Sequence, residues 1–119
     1  MYPLLFEKFI IVLDDSGNIF WVDRESGLMR FKYIIEEFPA PNPILKDKIL
    51  YLGTKRGHIY AIRLEDATTV WKDLALVGEV SEIHPHKRGI VINGGNQYWL
   101  FNYSNGANQD KITNGHSTE

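Results

Sequence analysis

The sequence predicts an all-β fold of antiparallel, four-stranded sheets, and three observations support this prediction. The chain matches itself when it is shifted by 40 residues, which is typical of repeat proteins. Each copy consists of short β-branched and aromatic runs separated by Gly, Asp and Ser turn clusters. The composition, 44% hydrophobic and 24% charged over 119 residues, is that of a globular chain with enough material for one core.

The first copy contains three recognisable strands. Residues 9–13 form a short apolar run that ends in the turn cluster 14–17, and residues 19–22 form a second strand. A further strand is predicted at 28–35. Gly17 is expected to have positive φ in a tight hairpin, since glycine accepts that backbone conformation without steric cost.

The second copy aligns with the first without a gap: residues 49–63 match residues 9–23 at a shift of 40. The shift of 40 places Gly17 on Gly57, which is predicted to adopt the same conformation, and Ile19 on Ile59. A later strand of this copy is predicted at 70–76. The proline-rich segment 39–43 joins the two copies, because proline removes hydrogen-bond donors from a central strand.

A third, weaker copy opens with a strand at 80–83 and continues through 90–95 and 98–102. The predicted repeats therefore span about 3–40, 43–80 and 82–110. Together they form one domain, 1–110, which is followed by a polar C-terminal tail at 111–119.

Four short strands in about 40 residues is the size of one blade of a β-propeller. The predicted architecture is two complete blades and a partial third, in an open arrangement, because known rings use four blades or more. An open arrangement leaves apolar blade faces uncovered. We therefore expect a longer propeller, self-association or a protein partner to cover them.

The copies resemble the quinoprotein-like (PQQ-type) β-propeller repeat, whose pattern is an apolar-Tyr-Ala-apolar-Asp strand, a Thr-Gly turn and a Trp. The resemblance rests on residues 19–23 with Ser26-Gly27, on residues 59–62 with Trp71, and on residues 98–102. The copies depart from the pattern at several positions: Phe31 replaces the first Trp, Arg63 replaces the Asp of the second copy, Asp66-Ala67 replaces its Thr-Gly turn, and Asp110 stands where the third Trp belongs. The resemblance implies a propeller fold and two possible roles, a scaffold or part of a quinone-dependent dehydrogenase.

Three aromatic residues are candidates for an interaction surface. Trp21, Tyr60 and Trp99 are assigned to one repeat position, which would stack them between blades. Packing is one interpretation of this stack. The other is an exposed aromatic belt that binds a ligand or a protein partner.

No residue is assigned a catalytic, cofactor-binding or metal-binding role. His84 and His86 could share a metal, but Pro85 between them favours a turn at the blade junction. The cluster that begins at Asp14 resembles a calcium loop, but its glycine, Gly17, is at the fourth position instead of the sixth, which favours a hairpin turn.

Charge and composition exclude several function classes. The net charge of -2 excludes a polybasic nucleic-acid binder, and the absence of cysteine excludes disulfides and thiolate zinc sites. No apolar run approaches the roughly 20 residues that a membrane-spanning helix needs. We therefore expect a cytoplasmic protein that is not inserted in a membrane.

The predicted function is a non-catalytic module for protein–protein interaction or scaffolding, not an enzyme. It would form part of a larger propeller or an oligomer. Two alternatives remain open: a fragment of a quinone-dependent dehydrogenase, and a domain that senses a peptide or another ligand.

Overall fold

The computed structural model describes residues 3–73, 79–94, 97–105, 108–113 and 116–117. These residues form thirteen strands. None of the described residues belongs to a helix capable of crossing a membrane. The strands are β1 (Leu4–Phe6), β2 (Phe9–Leu13), β3 (Asn18–Asp23), β4 (Met29–Ile34), β5 (Ile44–Lys46), β6 (Ile49–Gly53), β7 (Ile59–Arg63), β8 (Thr68–Asp73), β9 (Val80–His86), β10 (Gly89–Gly94), β11 (Gln97–Asn102), β12 (Asn108–Thr113) and β13 (His116–Ser117).

The strands form three antiparallel sheets. Sheet 1 has the order β1-β2-β3-β4, sheet 2 the order β5-β6-β7-β8, and sheet 3 the order β13-β12-β11-β10-β9. Within each sheet the hydrogen-bonded neighbours are consecutive strands, as in a series of hairpins. The described residues do not close into a ring, so the predicted open arrangement of antiparallel sheets is confirmed; the third sheet, predicted as a partial blade, has five strands in the described part of the chain.

The first hairpin turn is the same in sheets 1 and 2. Gly17 and Gly57 have φ of 84° and 91°, which confirms the prediction of positive φ at both glycines. In sheet 1 the backbone of Asp14 donates to the Asn18 carbonyl, and in sheet 2 Thr54 donates to the His58 carbonyl in the same way. A Cβ at Gly17 would overlap the carbonyl of Glu37, so the turn also needs a residue without a side chain for packing.

The turn between the third and fourth strands is also repeated, but with different residues. Gly27 has φ of 75° in sheet 1, and Ala67 occupies the matching position in sheet 2 with φ of 61°. Both backbone amides donate to the residue four positions earlier, Asp23 and Arg63 respectively. Ala67 therefore adopts a left-handed conformation that disfavours residues with a Cβ.

The core lies in two layers between the stacked sheets. The first layer joins sheets 1 and 2 and contains Phe6, Phe9, Ile11, Leu13, Ile19, Trp21, Ile35, Leu50, Leu52, Tyr60, Ile62 and Leu64. The second layer joins sheets 2 and 3 and contains Ala40, Ile44, Tyr51, Ile59, Ala61, Trp71, Val80, Ile83, Ile90, Ile92 and Phe101. Sheet 2 is therefore covered on both faces, which explains why β6 and β7 are apolar at nearly every position.

Pro85 does not break its strand, contrary to the predicted turn. Residues 84–86 lie inside β9, where Pro85 pairs in register with Ile90. β9 ends the strand order of sheet 3, so it is an edge strand, in which a residue without an N–H is tolerated. His84 and His86 are both exposed there, and the former lies 3.4 Å from a carboxylate oxygen of Glu82.

Other predicted boundaries differ slightly from the structure. The predicted strand 28–35 is β4, Met29–Ile34. The predicted strand 70–76 begins earlier and is β8, Thr68–Asp73, while residues 74–76 lie outside the described residues. β12, Asn108–Thr113, crosses the predicted boundary at 110/111 between the repeats and the polar tail.

Candidate interaction surface

Sheets 2 and 3 use the same four positions to pack on the sheet before them. We call the side of a sheet that faces the preceding sheet its rear face, and the opposite side its front face. On each rear face, two pairs of residues lie opposite each other on the second and third strands. These pairs are Leu50–Ile62 and Leu52–Tyr60 in sheet 2, and Ile90–Phe101 and Ile92–Trp99 in sheet 3.

Sheet 1 has matching apolar pairs on its rear face, Ile10–Val22 and Val12–Phe20. None of the described residues forms a sheet that packs on them, and all four side chains are only partly buried. The row continues to Leu5 beside Ile10 and to Met29 beside Val22, which are 62% and 56% exposed. We call this surface the open face; it consists of Leu5, Ile10, Val12, Phe20, Val22 and Met29.

A lysine, Lys32, stands at the outer side of the open face. Lys32 pairs in register with Phe20, and its Nζ lies 5.8 Å from the centre of the phenyl ring. This distance is within the range of a cation–π interaction, which is weak where the side chain is exposed to water. The open face is therefore apolar over two rows of residues, with a positive charge at one end.

An indole hydrogen bond crosses each of the two interfaces between sheets. Trp21 Nε1 donates to the carbonyl of Leu64 at 2.9 Å, and Trp71 Nε1 donates to the carbonyl of Tyr103 at 2.7 Å. Leu64 directly follows β7, and Tyr103 directly follows β11, so the two acceptors occupy matching positions. In sheet 1 the matching residue is Arg24, directly after β3.

The two indoles come from different strands. Trp21 lies on β3 opposite Phe31 of β4, whereas Trp71 lies on β8 opposite Ala61 of β7. The ring centres of Trp21 and Phe31 are 6.3 Å apart with planes at 88°, an edge-to-face contact. Sheet 1 thus lacks the tryptophan of the repeat pattern on its fourth strand, but provides the same hydrogen bond from its third strand.

The three aromatic residues predicted to share one repeat position do not share one face. Tyr60 and Trp99 lie on the rear faces of their sheets, but Trp21 lies on the front face of sheet 1 and is fully buried. The residue that matches Tyr60 is Phe20, which the shift of 40 already indicates. The assignment of Trp21 was wrong because side chains alternate between faces, so an offset of one residue reverses the face.

Tyr60 is 8% exposed and Trp99 is partly buried against the second core layer. Both residues therefore pack between sheets. Phe20, the matching residue on the open face, was missed by sequence reasoning.

A buried carboxylate holds the connector between sheets 1 and 2. Glu37 accepts hydrogen bonds from Thr54 Oγ1 at 2.7 Å and from Tyr60 Oη at 3.1 Å, and pairs with His58 Nδ1 at 2.8 Å. Burial raises the pKa of Glu37, but hydrogen bonds from His58, Thr54 and Tyr60 outweigh it, so the net pKa lies below the ordinary value. Burial, together with the charge of Glu37, raises the pKa of Tyr60 to about 12.

The candidate metal ligands of the sequence analysis have structural partners. The Asp14 carboxylate accepts the backbone N–H groups of Ser16 and Asn18 at 2.9 Å each, which closes the hairpin turn. His86 Nδ1 accepts the backbone N–H of Arg88 at 3.1 Å. Within the described part of the chain, no three or more His, Cys, Asp or Glu side chains come together in a way that could hold a metal ion.

Comparison with curated proteins gives a partial match. No protein-family model matches the chain. The outer membrane protein assembly factor BamB of Aliivibrio fischeri is 30% identical over 64 residues, which cover 53% of this chain and 17% of that protein. The chain thus spans less than a fifth of the length of this relative.

Three solved structures share the fold across most of the chain. BamB from Moraxella catarrhalis has a TM-score of 0.70 at 16% identity, and the match covers 89% of this chain and 34% of that one. A europium-containing methanol dehydrogenase has a TM-score of 0.77 at 11% identity, covering 94% and 24% of the two chains. The quinohemoprotein alcohol dehydrogenase of Comamonas testosteroni has a TM-score of 0.74 at 14% identity, covering 94% and 20%. At the level of fold, the comparisons confirm that this chain resembles the quinoprotein-like β-propeller repeat.

Proposed function

We propose that the chain is a non-catalytic β-propeller repeat module that binds another protein surface through its open face. The observation that supports this proposal is the match between the open face and two interfaces within the chain. The pairs Ile10–Val22 and Val12–Phe20 occupy the positions that sheets 2 and 3 bury against their preceding sheets. Leaving such a surface in water is unfavourable by about 25 cal/mol per Å² of apolar area.

The proposal includes membership of a larger assembly, either a longer propeller or an oligomer. BamB, which the chain matches in part of its sequence, is described as an outer membrane protein assembly factor. That description supports a role in protein–protein contact for a repeat of this kind. The cytoplasmic location and the absence of catalysis stay predictions.

Light scattering of the full chain over a wide concentration range tests the proposal. We expect concentration-dependent association of the wild-type chain, because the open face is apolar and uncovered by the described residues. Val22→Lys places a charge in the middle of this face and should leave a monomer. Ser81→Lys, at an exposed position of sheet 3, is the matched control and should associate like the wild type.

The outcomes of this experiment are distinct once circular dichroism shows that all three chains are folded. A wild-type chain that stays monomeric throughout, and that behaves like Val22→Lys, would contradict the proposal. Equal association of the wild type and Val22→Lys would place the contact elsewhere and contradict it as well.

Two ligand experiments examine the alternative functions. A clear rise in Tm when a quinone cofactor and Ca²⁺ are added together would favour a dehydrogenase fragment over the proposed module. Saturable binding of extended peptides, by addition to a sheet edge, would favour a sensing domain.

A further inference from the structure

A cavity of about 300 Å³ opens between the front face of sheet 1 and the connector that leads into sheet 2. Sheet 1 contributes the apolar side chains of Leu4, Ile11 and Leu13, and the connector contributes residues 39–43, three of which are prolines. The volume is at the lower end of the range of about 300–1,000 Å³ that is usual for ligand sites, so the cavity suits a small molecule. The open face lies on the opposite side of sheet 1, so this cavity is independent of the proposed function.

The cavity exists because the first connector leaves uncovered a place that the second connector covers. In the second interface, Val80 and Ile83 press on the front face of sheet 2, and a Cβ on Gly53 would meet their methyl groups at 2.8 and 3.3 Å. The shift of 40 places these two residues on Ala40 and Pro43, which are smaller or cyclic. The apolar space beside sheet 1 is therefore of the kind that branched aliphatic side chains fill in the next interface.

Hydrogen bonds and prolines fix the wall that the connector forms. The backbone N–H of Ala40 donates to the Gly53 carbonyl at 2.8 Å, and the N–H of Lys55 donates to the Phe38 carbonyl at 2.9 Å. Proline restricts φ, so the prolines at 39, 41 and 43 further limit the conformations of this segment. A wall that is ordered before binding loses little conformational entropy when a ligand enters.

One carboxylate and one ammonium group stand at the rim of the cavity. Asp15 and Lys55 are both exposed, and they occupy the same position in the hairpin turns of sheets 1 and 2. Neither side chain forms an ion pair with the other or with any residue that the structure describes. Both charges are therefore available to a ligand.

We propose that this cavity binds a free α-amino acid with a large apolar side chain. The side chain of the ligand lies against Leu4, Ile11 and Leu13, its carboxylate pairs with Lys55, and its ammonium group pairs with Asp15. The prolines of the wall have no N–H to donate to a carboxylate, which keeps the charged end of the ligand at the rim. An apolar acid or an apolar amine would match only one of the two rim charges, and a residue within a peptide would match neither.

Titration of the full chain with L-leucine, followed by amide NMR signals, tests the proposal. We expect saturable binding with a Kd of about 1 mM, which is usual for so small a ligand. The signals that move should be those of residues 11–15, 40 and 55, while those of residues 89–92 in sheet 3 stay in place. The Val22→Lys chain, altered only on the open face, should bind equally, so failure of the association test and failure of this one are distinguishable.

Four analogues of leucine separate the parts of the site. L-Alanine keeps both charges but lacks most of the apolar side chain, and it should bind about tenfold more weakly or worse. 4-Methylpentanoate lacks the ammonium group and 3-methylbutylamine lacks the carboxylate; each should bind about two- to fivefold more weakly, as expected for exposed ion pairs. N-Acetyl-leucinamide has neither charge and should be weaker than both. If it bound as tightly as leucine, the cavity would be a site for peptide side chains, and the proposal would be overturned.

Substitutions at the rim assign each charge to one group of the ligand. Lys55→Met should weaken binding of leucine by about two- to fivefold but leave binding of 3-methylbutylamine unchanged, because that analogue has no carboxylate. Asp15→Asn should act in the same way on leucine and leave binding of 4-methylpentanoate unchanged. Lys87→Met removes an exposed charge from sheet 3 and is the matched control, with no expected effect. Equal losses for leucine and for the analogue that lacks the paired group would contradict the assignment.

Filling the cavity tests its apolar part without altering either charge. Leu4 is only partly buried, so Leu4→Trp adds bulk to the cavity wall at a position that tolerates it. Once circular dichroism shows that this chain is folded, binding of leucine should be abolished. Unchanged binding by Leu4→Trp, or no saturable binding of leucine by the wild-type chain, would overturn the proposal.

Discussion

Trp21 and Trp71 perform the same task from different strands, and this shows how a repeat can tolerate substitution. Each places an indole N–H on the carbonyl after the third strand of the next sheet. The cross-strand partner is Phe31 for the first and Ala61 for the second. Two paired positions, one on the third strand and one on the fourth, can therefore each supply the indole of this hydrogen bond.

This equivalence can be tested by exchanging the pair in sheet 1. Trp21→Ala should lower the free energy of unfolding by about 3–5 kcal/mol, because it removes a large buried side chain and its hydrogen bond. Adding Phe31→Trp recreates the Ala61–Trp71 arrangement and should recover a substantial part of that loss. Urea unfolding of the two single variants and the double variant measures the coupling energy.

Additive effects in this cycle would mean that position 31 cannot supply the indole. If Trp21→Ala alone does not fold, recovery of a cooperative unfolding transition in the double variant shows that position 31 can supply the indole, and failure to recover shows that it cannot.

A second prediction concerns the left-handed residues of the turn after the third strand. Ala67, with φ of 61°, occupies the position of Gly27. Ala67→Gly should stabilise the chain by about 0.5–1 kcal/mol, because relief of the steric cost outweighs the added entropy of the unfolded glycine. Gly27→Ala is the reciprocal control: its Cβ would meet no atom within 4 Å, so only the backbone conformation opposes it.

Thermal or urea unfolding measures both variants. Loss of stability in Ala67→Gly would show that the partly buried methyl group of Ala67, which packs on the first core layer, contributes more than the strain costs.

At the scale of elements, the sequence predicts the longer apolar strands and the tight turns well, because these depend on local patterns, but it does not predict the short strands β1 and β5. The runs at β2 and β3 alternate or are continuously apolar, and positive φ at Gly17 follows from the turn it closes. The face of the sheet on which a side chain lies is harder to predict. An alignment displaced by one residue assigns Trp21 to the repeat position that Phe20 occupies. The edge position of Pro85 depends on the order of strands in sheet 3, which no local pattern contains.

The candidate interaction surface also has features that the sequence predicts and features that depend on the three-dimensional structure. The apolar pairs of the open face match Leu50–Ile62 and Leu52–Tyr60 at a shift of 40 residues and can be found by aligning the first two copies. The acceptor carbonyl of Leu64 is 43 residues from Trp21, and a backbone carbonyl has no signature in a sequence. Only the three-dimensional arrangement connects these two groups.

The connector between sheets 1 and 2 gives a prediction of pH dependence. The pKa of Glu37 is lower in the folded chain than its ordinary value of 4.5. Its carboxylate therefore stabilises the fold fully above about pH 4.5, and this contribution is lost as the pH falls through the folded pKa. Glu37→Gln should flatten the acid part of the stability curve and cost about 1.5–3 kcal/mol at pH 7, because charge-assisted hydrogen bonds become neutral.

The neighbouring Glu36 provides the control, since it is exposed. Urea unfolding of the wild type, Glu37→Gln and Glu36→Gln between pH 3 and 7 separates the two carboxyl groups. An acid limb that stays unchanged in Glu37→Gln would mean that other groups cause the acid sensitivity.

For the whole molecule, the three sheets differ in how completely they are covered. Sheet 2 has a core layer on each face, and its residues Leu50, Leu52, Ile59, Ala61 and Ile62 are fully buried. Sheet 1 has one such layer and an open face. A stack of this kind derives its stability from interfaces between neighbours, so stability should be highest in the middle.

Native-state amide hydrogen exchange should reveal this gradient. We expect the slowest exchange in β6 and β7, and exchange at least about tenfold faster in β3, because sheet 1 can detach from one interface while sheets 2 and 3 stay packed. Low concentrations of urea should accelerate exchange in β6 and β7 more steeply, since their opening exposes more surface. Equal rates and equal urea dependence in β3 and β7 would show that the sheets unfold as one unit, and that the uncovered face of sheet 1 has no local cost in stability.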